Sequence, residues 1–155
     1  MNTTCVKKVV VKRFRSFPSA TLSFDNPLFV VGQNGSGKSN LADVFGFVSE
    51  VMASPLQAVF DRRGGISAVR NRSSGRSYPP NLGIAFELGD INGIRGGRFA
   101  FEVKAVPNYG FQIVREQCLV CRKDGKRWWY DRTNSWKSNA EGVTPALESS
   151  ALCLP

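Results

Sequence analysis

The eight residues Gly32-Gln33-Asn34-Gly35-Ser36-Gly37-Lys38-Ser39 constrain this chain more than any others. They match in full the spacing G-x-x-x-x-G-K-[ST], a Walker A loop whose use is to wrap backbone around phosphate. Glycine at 32, 35 and 37 permits the unusual dihedrals that such a wrap needs. The amides of about residues 35–39 then point inward at the start of a helix, where the helix dipole adds partial positive charge. In that arrangement Lys38 reaches the β- and γ-phosphates of a nucleoside triphosphate, and the Ser39 hydroxyl is the expected ligand of Mg²⁺. A plain glycine turn has no use for Lys and Ser at those offsets.

The flanking pattern supplies a context. Residues 27–31 (PLFVV) form a wholly apolar run, expected to be a strand buried on both faces and leading straight into the loop. Beyond it Leu41, Val44, Phe45, Val48, Val51 and Met52 recur at three- and four-residue spacing, one apolar face of a helix that Pro55 stops after Ser54. Upstream, residues 5–14 and 20–24 read as two strands, with Ser16 to Ser19 turning around Pro18.

Residues 56–80 carry Arg62, Arg63, Arg70, Arg72 and Arg76 among Gly64, Gly65, Gly75, Pro79 and Pro80, with only Asp61 opposing them. This is expected to be an irregular basic segment with one or two short helical turns. From residue 81 the period becomes two. Leu82, Ile84, Phe86 and Leu88 share one strand face, and Phe99, Phe101 and Val103 another after a glycine-rich turn (GDINGIRGG). Residues 110–122 and 126–131 make two more strands about Lys123-Asp124-Gly125, a hairpin signal. The tail ALESSALCLP reads as the start of a helix. The chain divides into 1–54 (strands, loop and first helix), 55–80 (basic segment), 81–141 (antiparallel β lobe) and 142–155 (the beginning of a further part).

Charge narrows the partners. With 21 Lys and Arg against 12 Asp and Glu, the net charge is +9, which suits a polyanion such as nucleic acid and equally keeps a domain in solution. The absence of histidine excludes Ser-His-Asp and Cys-His catalysis and most zinc chemistry. Cys118 and Cys121 form a C-x-x-C pair within a strand-like run, where residues three apart point to opposite faces, so buried strand thiols are the expectation. No apolar run approaches the roughly 20 residues that span a bilayer. The N-terminus also lacks the apolar block of a signal peptide, so a cytoplasmic protein with no membrane partner is expected.

Three features resemble the ATP-binding heads of the RecF, structural-maintenance-of-chromosomes (SMC) and ABC-type ATPases, above all the AAA_21/AAA_15-type ATPases, some of which act in phage defence. They are the opening Val11-Lys12-Arg13-Phe14-Arg15-Ser16-Phe17, the loop with Asn34 and Asn40 in G-x-N-G-x-G-K-S-N, and an antiparallel lobe after the first helix. The segment RRGGISAVRNRSS also looks like the glycine–arginine segment of the defence-type group. The resemblance implies an α/β P-loop NTPase fold, here its N-terminal lobe, with ATP and Mg²⁺ as cofactors. It implies ATP contacts from Gly32, Asn34, Gly35, Ser36, Gly37, Lys38, Ser39 and Asn40. Arg15, and with it Lys12, would lie near the nucleotide, although Arg15 reads equally well as an ordinary surface arginine. ATP rather than GTP rests on the resemblance, since no guanine-reading N-K-x-D occurs.

The sequence departs from that pattern. It has no apolar strand ending in Asp-Glu and no signature loop; Glu87 and Glu102 mimic the former but fall at solvent-facing positions of the meander, and Gln112 and Gln117 make poor Gln-loop residues. A chain of this kind is expected to bind ATP and turn it over little. The complete protein would hydrolyse ATP across a head-to-head dimer, and apolar surface would be exposed where the rest of the head docks.

The leading function is therefore a DNA-associated ATPase head in repair, chromosome maintenance or defence. An ATP-switched assembly module serving a separate effector is an alternative. So is a basic nucleic-acid-binding domain using Arg62, Arg63, Arg70, Arg72 and Arg76 with Trp128, Trp129, Tyr130 and Trp136, residues otherwise read as a solvated loop and meander core. A small-metabolite kinase fits less well, because no parallel strand follows the helix.

Overall fold

The alternation of β1 (Val6–Phe14) buries Val9 and Val11 and turns Lys8, Val10 and Lys12 to the opposite face. Arg13 then takes φ 57°, in the left-handed region, which breaks the alternation so that Phe14 enters the core where strict period two would have placed Arg13. The computed structural model describes residues 6–24, 29–71, 81–90, 94–108, 110–142, 145 and 147–153. Expectations for Cys5, Pro27, Leu28, Arg72, Gly75, Arg76, Pro79, Pro80 and the last two residues lie outside them.

The remaining elements are β2 (Phe17–Ser23), α1 (Lys38–Ala53), α2 (Leu56–Arg62), α3 (Ile66–Val69), β3 (Asn81–Leu88), β4 (Ile94–Ala105), β5 (Phe111–Arg122), β6 (Arg127–Arg132) and β7 (Trp136–Ser138). All seven strands join one sheet in the order β2-β1-β3-β4-β5-β6-β7, with every neighbour antiparallel. Register stacks the core residues in rows: Val9 opposes Phe86, which opposes Phe99; Val11 opposes Ile84, which opposes Phe101. The helices supply the other side of this core, through Val44, Phe47 and Val51 of α1, Leu56, Val59 and Phe60 of α2, and Ile66 and Val69 of α3. Phe47 is the hub: its ring lies 5.4 Å from Phe14, 5.7 Å from Phe60 and 6.4 Å from Phe101.

Several expectations need correction. Residues 29–31 form no strand, and Phe29 and Val31 are 82% and 90% exposed, because no strand pairs with this run among the described residues. The β1–β2 turn is Arg15-Ser16, so Pro18 lies inside β2, an edge strand where a missing N–H costs least. The buried face of α1 centres on Val44, Phe47 and Val51, and Met52 is left exposed. Part of the expected glycine turn, Ile94 to Gly97, belongs to β4, where a bulge between Ile94 and Gly96 absorbs it.

The tail does not begin a helix among its described residues. It lies as a strap whose Ser149 carbonyl accepts from the Ile113 N–H. A buried ion pair fastens it. Glu116, with no exposed surface, accepts from the Tyr130 hydroxyl at 2.7 Å, from Arg132 at 3.2 Å and from the Cys153 N–H at 2.9 Å. Arg132 also donates to the Ala151 and Glu148 carbonyls. Both carboxylate oxygens of Glu116 and both terminal nitrogens of Arg132 thereby gain partners, as burial demands.

Candidate functional site: the glycine loop

The loop is built by the entry into α1. Gly37 caps the helix with φ 92°, and the Leu41 N–H donates to its carbonyl at 2.9 Å. A turn closes one step earlier, where the Ser36 N–H donates to the Gln33 carbonyl, and Gly35 takes φ 83°. No side chain caps the helix and no acid stands in its first turn, so nothing from the helix itself competes with an anion for the first amides. A Cβ at Gly32 would sit 2.9 Å from the Ser36 hydroxyl oxygen, whereas the space at Gly35 is open. The loop is thus tight at its base and open at its tip, which fits a phosphate group.

Lys38 is folded over this loop. Its ammonium donates to the Gly32 and Gln33 carbonyls, both at 2.6 Å, and reaches the Ser36 hydroxyl at 3.4 Å. Three acceptors therefore hold the positive charge at the loop. Asn34 and Ser39 are exposed. Asn40 points the other way and donates to the Ser16 hydroxyl at 2.6 Å. The Phe17 ring lies 3.7 Å from where a Gly37 Cβ would be, so the β1–β2 turn forms the floor of the loop. Among the described residues no group of three His, Cys, Asp or Glu side chains is placed to hold a metal. A Mg²⁺ here would take Ser39 and otherwise oxygens from the nucleotide and water, the set this ion favours.

Arg15 makes no hydrogen bond to the loop among the described residues. Its Nε donates to Asp43 at 2.8 Å and its Nη1 to the Ala68 carbonyl at 2.9 Å. Asp43 also accepts from Arg63 at 2.6 Å, and Arg63 makes a two-toothed pair with Glu50 at 3.0 and 2.7 Å. Burial pushes the Asp43 carboxyl upward, but hydrogen bonds and charge from Arg63 and Arg15 outweigh it and hold the group below its ordinary value. The Arg63 hydrogen bond lowers Glu50 likewise, and the Glu50 hydrogen bond raises Arg63. Sequence reading had Arg63 opposed by Asp61 alone and missed this network. The available signal was the seven-residue spacing of Asp43 and Glu50, two turns along one helix face.

The other candidates disperse. Lys12 and Glu102 pair at 3.8 Å, and Lys8 and Glu87 at 3.8 Å, on the sheet face away from α1. Cys118 is buried and Cys121 half-buried, pointing to opposite faces as their spacing implied, and burial pushes the Cys118 thiol up to about 11. Trp128, Tyr130 and Trp136 pack against the core, with Tyr130 stacked on Trp136 at 4.7 Å, whereas Trp129 faces outward.

Fold and loop together are those of an AAA-type ATPase domain. The family model "AAA domain, putative AbiEii toxin, Type IV TA system" (AAA_21) matches residues 28–148, and the chain belongs to that family. A solved structure from work on the ATP-driven dimerization and DNA-stimulated activation of SMC ATPases shares the fold. It aligns with a TM-score of 0.50 at 20% identity, over 83% of this chain and 69% of that one. Membership of an AAA-type ATPase family implies ATP binding. No helix among the described residues is long and apolar enough to cross a membrane.

Proposed function

We propose that residues Gly32 to Ser39 bind ATP with Mg²⁺, and that the chain is the nucleotide-binding lobe of an ATPase head in a DNA-associated or defence protein. One observation carries this reading: the Lys38 ammonium is held by backbone carbonyls at the start of α1, which no side chain caps. A triphosphate offers that ammonium stronger, charged acceptors in the same place. The first amides of α1 hold the phosphates from the other side, and Ser39 contributes its hydroxyl to the ion.

Three of the described carboxylates favour binding over turnover. Asp43 is engaged by two arginines, and Glu87 and Glu102 face away from the helix layer. None of the three is free to orient an attacking water at the loop. The exposed run Phe29 to Val31, immediately before the loop, supports a head in which further polypeptide or a second copy covers this edge. In the SMC work named above, ATP drives dimerization and DNA stimulates activation. We expect the same two partners, a second head and DNA, for this protein, in the cytoplasm.

The test is a titration of fluorescent ATP with Mg²⁺ into this chain and into Lys38→Ala, with phosphate release followed in the same samples. Binding lost in the variant, with negligible release, supports the proposal. Release abolished by Lys38→Ala would place a working carboxylate within these residues and overturn the binding-only reading. Equal binding by both proteins would remove the loop from the site.

A further inference from the structure

The sheet has two faces, and the described helices cover only one. On the other, register lines up one row from strand to strand: Lys8 opposes Glu87, Glu87 opposes Arg98, Arg98 opposes Leu119, and Leu119 opposes Trp129. At about 4.8 Å between strands, this row runs for roughly 19 Å across the sheet.

Beside it lies an open groove of about 740 Å³ whose lining includes Lys7, Arg95, Arg98, Arg122 and Arg127. Glu87 is the one acid among its lining residues, and Lys8 already pairs with it. Arg122 pairs with Asp124 at 3.3 Å, while Lys7, Arg95, Arg98 and Arg127 make no ion pair among the described residues. Like charges gathered without counter-ions repel one another, so the groove gains from an anion running along it.

Arg98 also lines a second depression, shared with Leu119 and Trp129. Trp129 is 38% exposed, the one tryptophan of the meander turned outward, and the other aromatics of β6 and β7 pack inward. A chain of phosphates along the groove therefore passes an aromatic side chain at its edge. A ladder of cations beside an outward indole is the combination that holds unpaired nucleotides, by phosphate contact and by base stacking.

We propose that the uncovered face of the sheet, along Arg95, Arg98 and Arg127 with Trp129 at its rim, binds single-stranded nucleic acid. Sequence reading placed such a function on the basic segment around Arg62 to Arg76 with the aromatics Trp128, Trp129, Tyr130 and Trp136; only Trp129 of that set belongs to this surface, and Arg63 is consumed by Asp43 and Glu50. The surface is also independent of the glycine loop and stands whether or not that loop binds ATP.

Anisotropy of a labelled oligothymidylate, longer than a site of roughly 4–16 nucleotides, tests the proposal across a salt series. Arg98→Ala with Arg127→Ala should weaken binding and flatten the slope of log affinity against log salt by about 1.4, at about 0.7 per lost single-strand phosphate contact. Trp129→Ala should weaken binding by about five- to a hundred-fold at unchanged slope, and Trp129→Phe should restore most of it. Lys38→Ala should leave oligonucleotide binding intact while removing ATP, which separates failure of this surface from failure of the loop. Thermal unfolding of each variant confirms that these exposed changes leave the fold in place. Unchanged affinity and slope in the double arginine variant would overturn the proposal. So would a duplex bound as tightly as the single strand with no dependence on Trp129, or displacement of the oligonucleotide by polyglutamate as efficiently as by unlabelled DNA.

Discussion

Arg63 and Asp43 meet at 2.6 Å, and through this contact the turn after α2 is tied to the helix that begins at the glycine loop. The Arg63 guanidinium also lies 5.3 Å from the centre of the Phe47 ring, so one side chain joins the ionic network to the aromatic core. Arg63→Ala should cost about 2–3 kcal/mol, because it leaves Asp43 and Glu50 without their strongest donor. Arg63→Lys should recover little, since one ammonium cannot reproduce the two-toothed contact with Glu50. Urea unfolding midpoints measure both.

Asp43, Glu50 and Asp131 are all held below their ordinary carboxyl values, Asp131 by its hydrogen bond from Arg115. Their folded values lie below their unfolded ones, so their contribution is complete above the ordinary carboxylate range and is lost as pH falls through the folded values. Stability should be level above about pH 5 and decline below about pH 4. The decline should be shallower in Arg63→Ala, as equilibrium unfolding across pH will show.

Two glycines of the same helix region should answer alanine with opposite sign. Gly37 sits at φ 92°, so Gly37→Ala should destabilise by about 1–2 kcal/mol and weaken ATP binding. Gly46 lies inside α1, where a new Cβ meets only the Arg63 Nη2 at an ordinary 3.8 Å. Gly46→Ala should stabilise by about 0.5–1 kcal/mol. Paired thermal unfolding curves test the contrast.

Tyr130→Phe should cost about 1–2 kcal/mol, through the loss of one donor to the buried Glu116 carboxylate. Glu116→Ala should cost more, about 3–5 kcal/mol, since it strands Arg132. Hydrogen exchange at Ile113, whose N–H donates to the strap, should accelerate in Glu116→Ala.

Phe29→Ser with Val31→Ser should leave stability within about 0.5 kcal/mol, because both side chains are already exposed. Light scattering should show less self-association than in the parent chain.

The sequence was most legible where local period and burial agreed. Leu82, Ile84 and Phe86 alternate because one face of β3 meets the helices, and Asp124-Gly125 marks the hairpin because Gly125 takes φ 83°. The turn through Gly35 and Gly37 was legible because both take a positive φ that glycine accepts readily. What failed depended on partners distant in the chain. Whether Phe29 to Val31 is a buried strand is decided by what pairs with it, and the run itself carries no trace of that. The Arg132 hold on the strap was equally hidden, since its acceptors are backbone carbonyls that every residue type possesses. Arg13 escaped too: alternation gave no hint that one left-handed residue would shift the phase of β1.

The placement of β1 has a kinetic consequence. It pairs with β2 next to it in sequence and with β3, so that Val10 faces Ala85, and the glycine loop and all three helices lie inside the loop which that pairing closes. The meander from β3 to β7 closes through short connections and can assemble on its own terms. Joining it to β1 carries the entropy of a long closure, offset only as α1 docks its aromatic face. On topology alone the glycine loop should take its shape late in folding, and a ligand that holds the loop should then act on that late step.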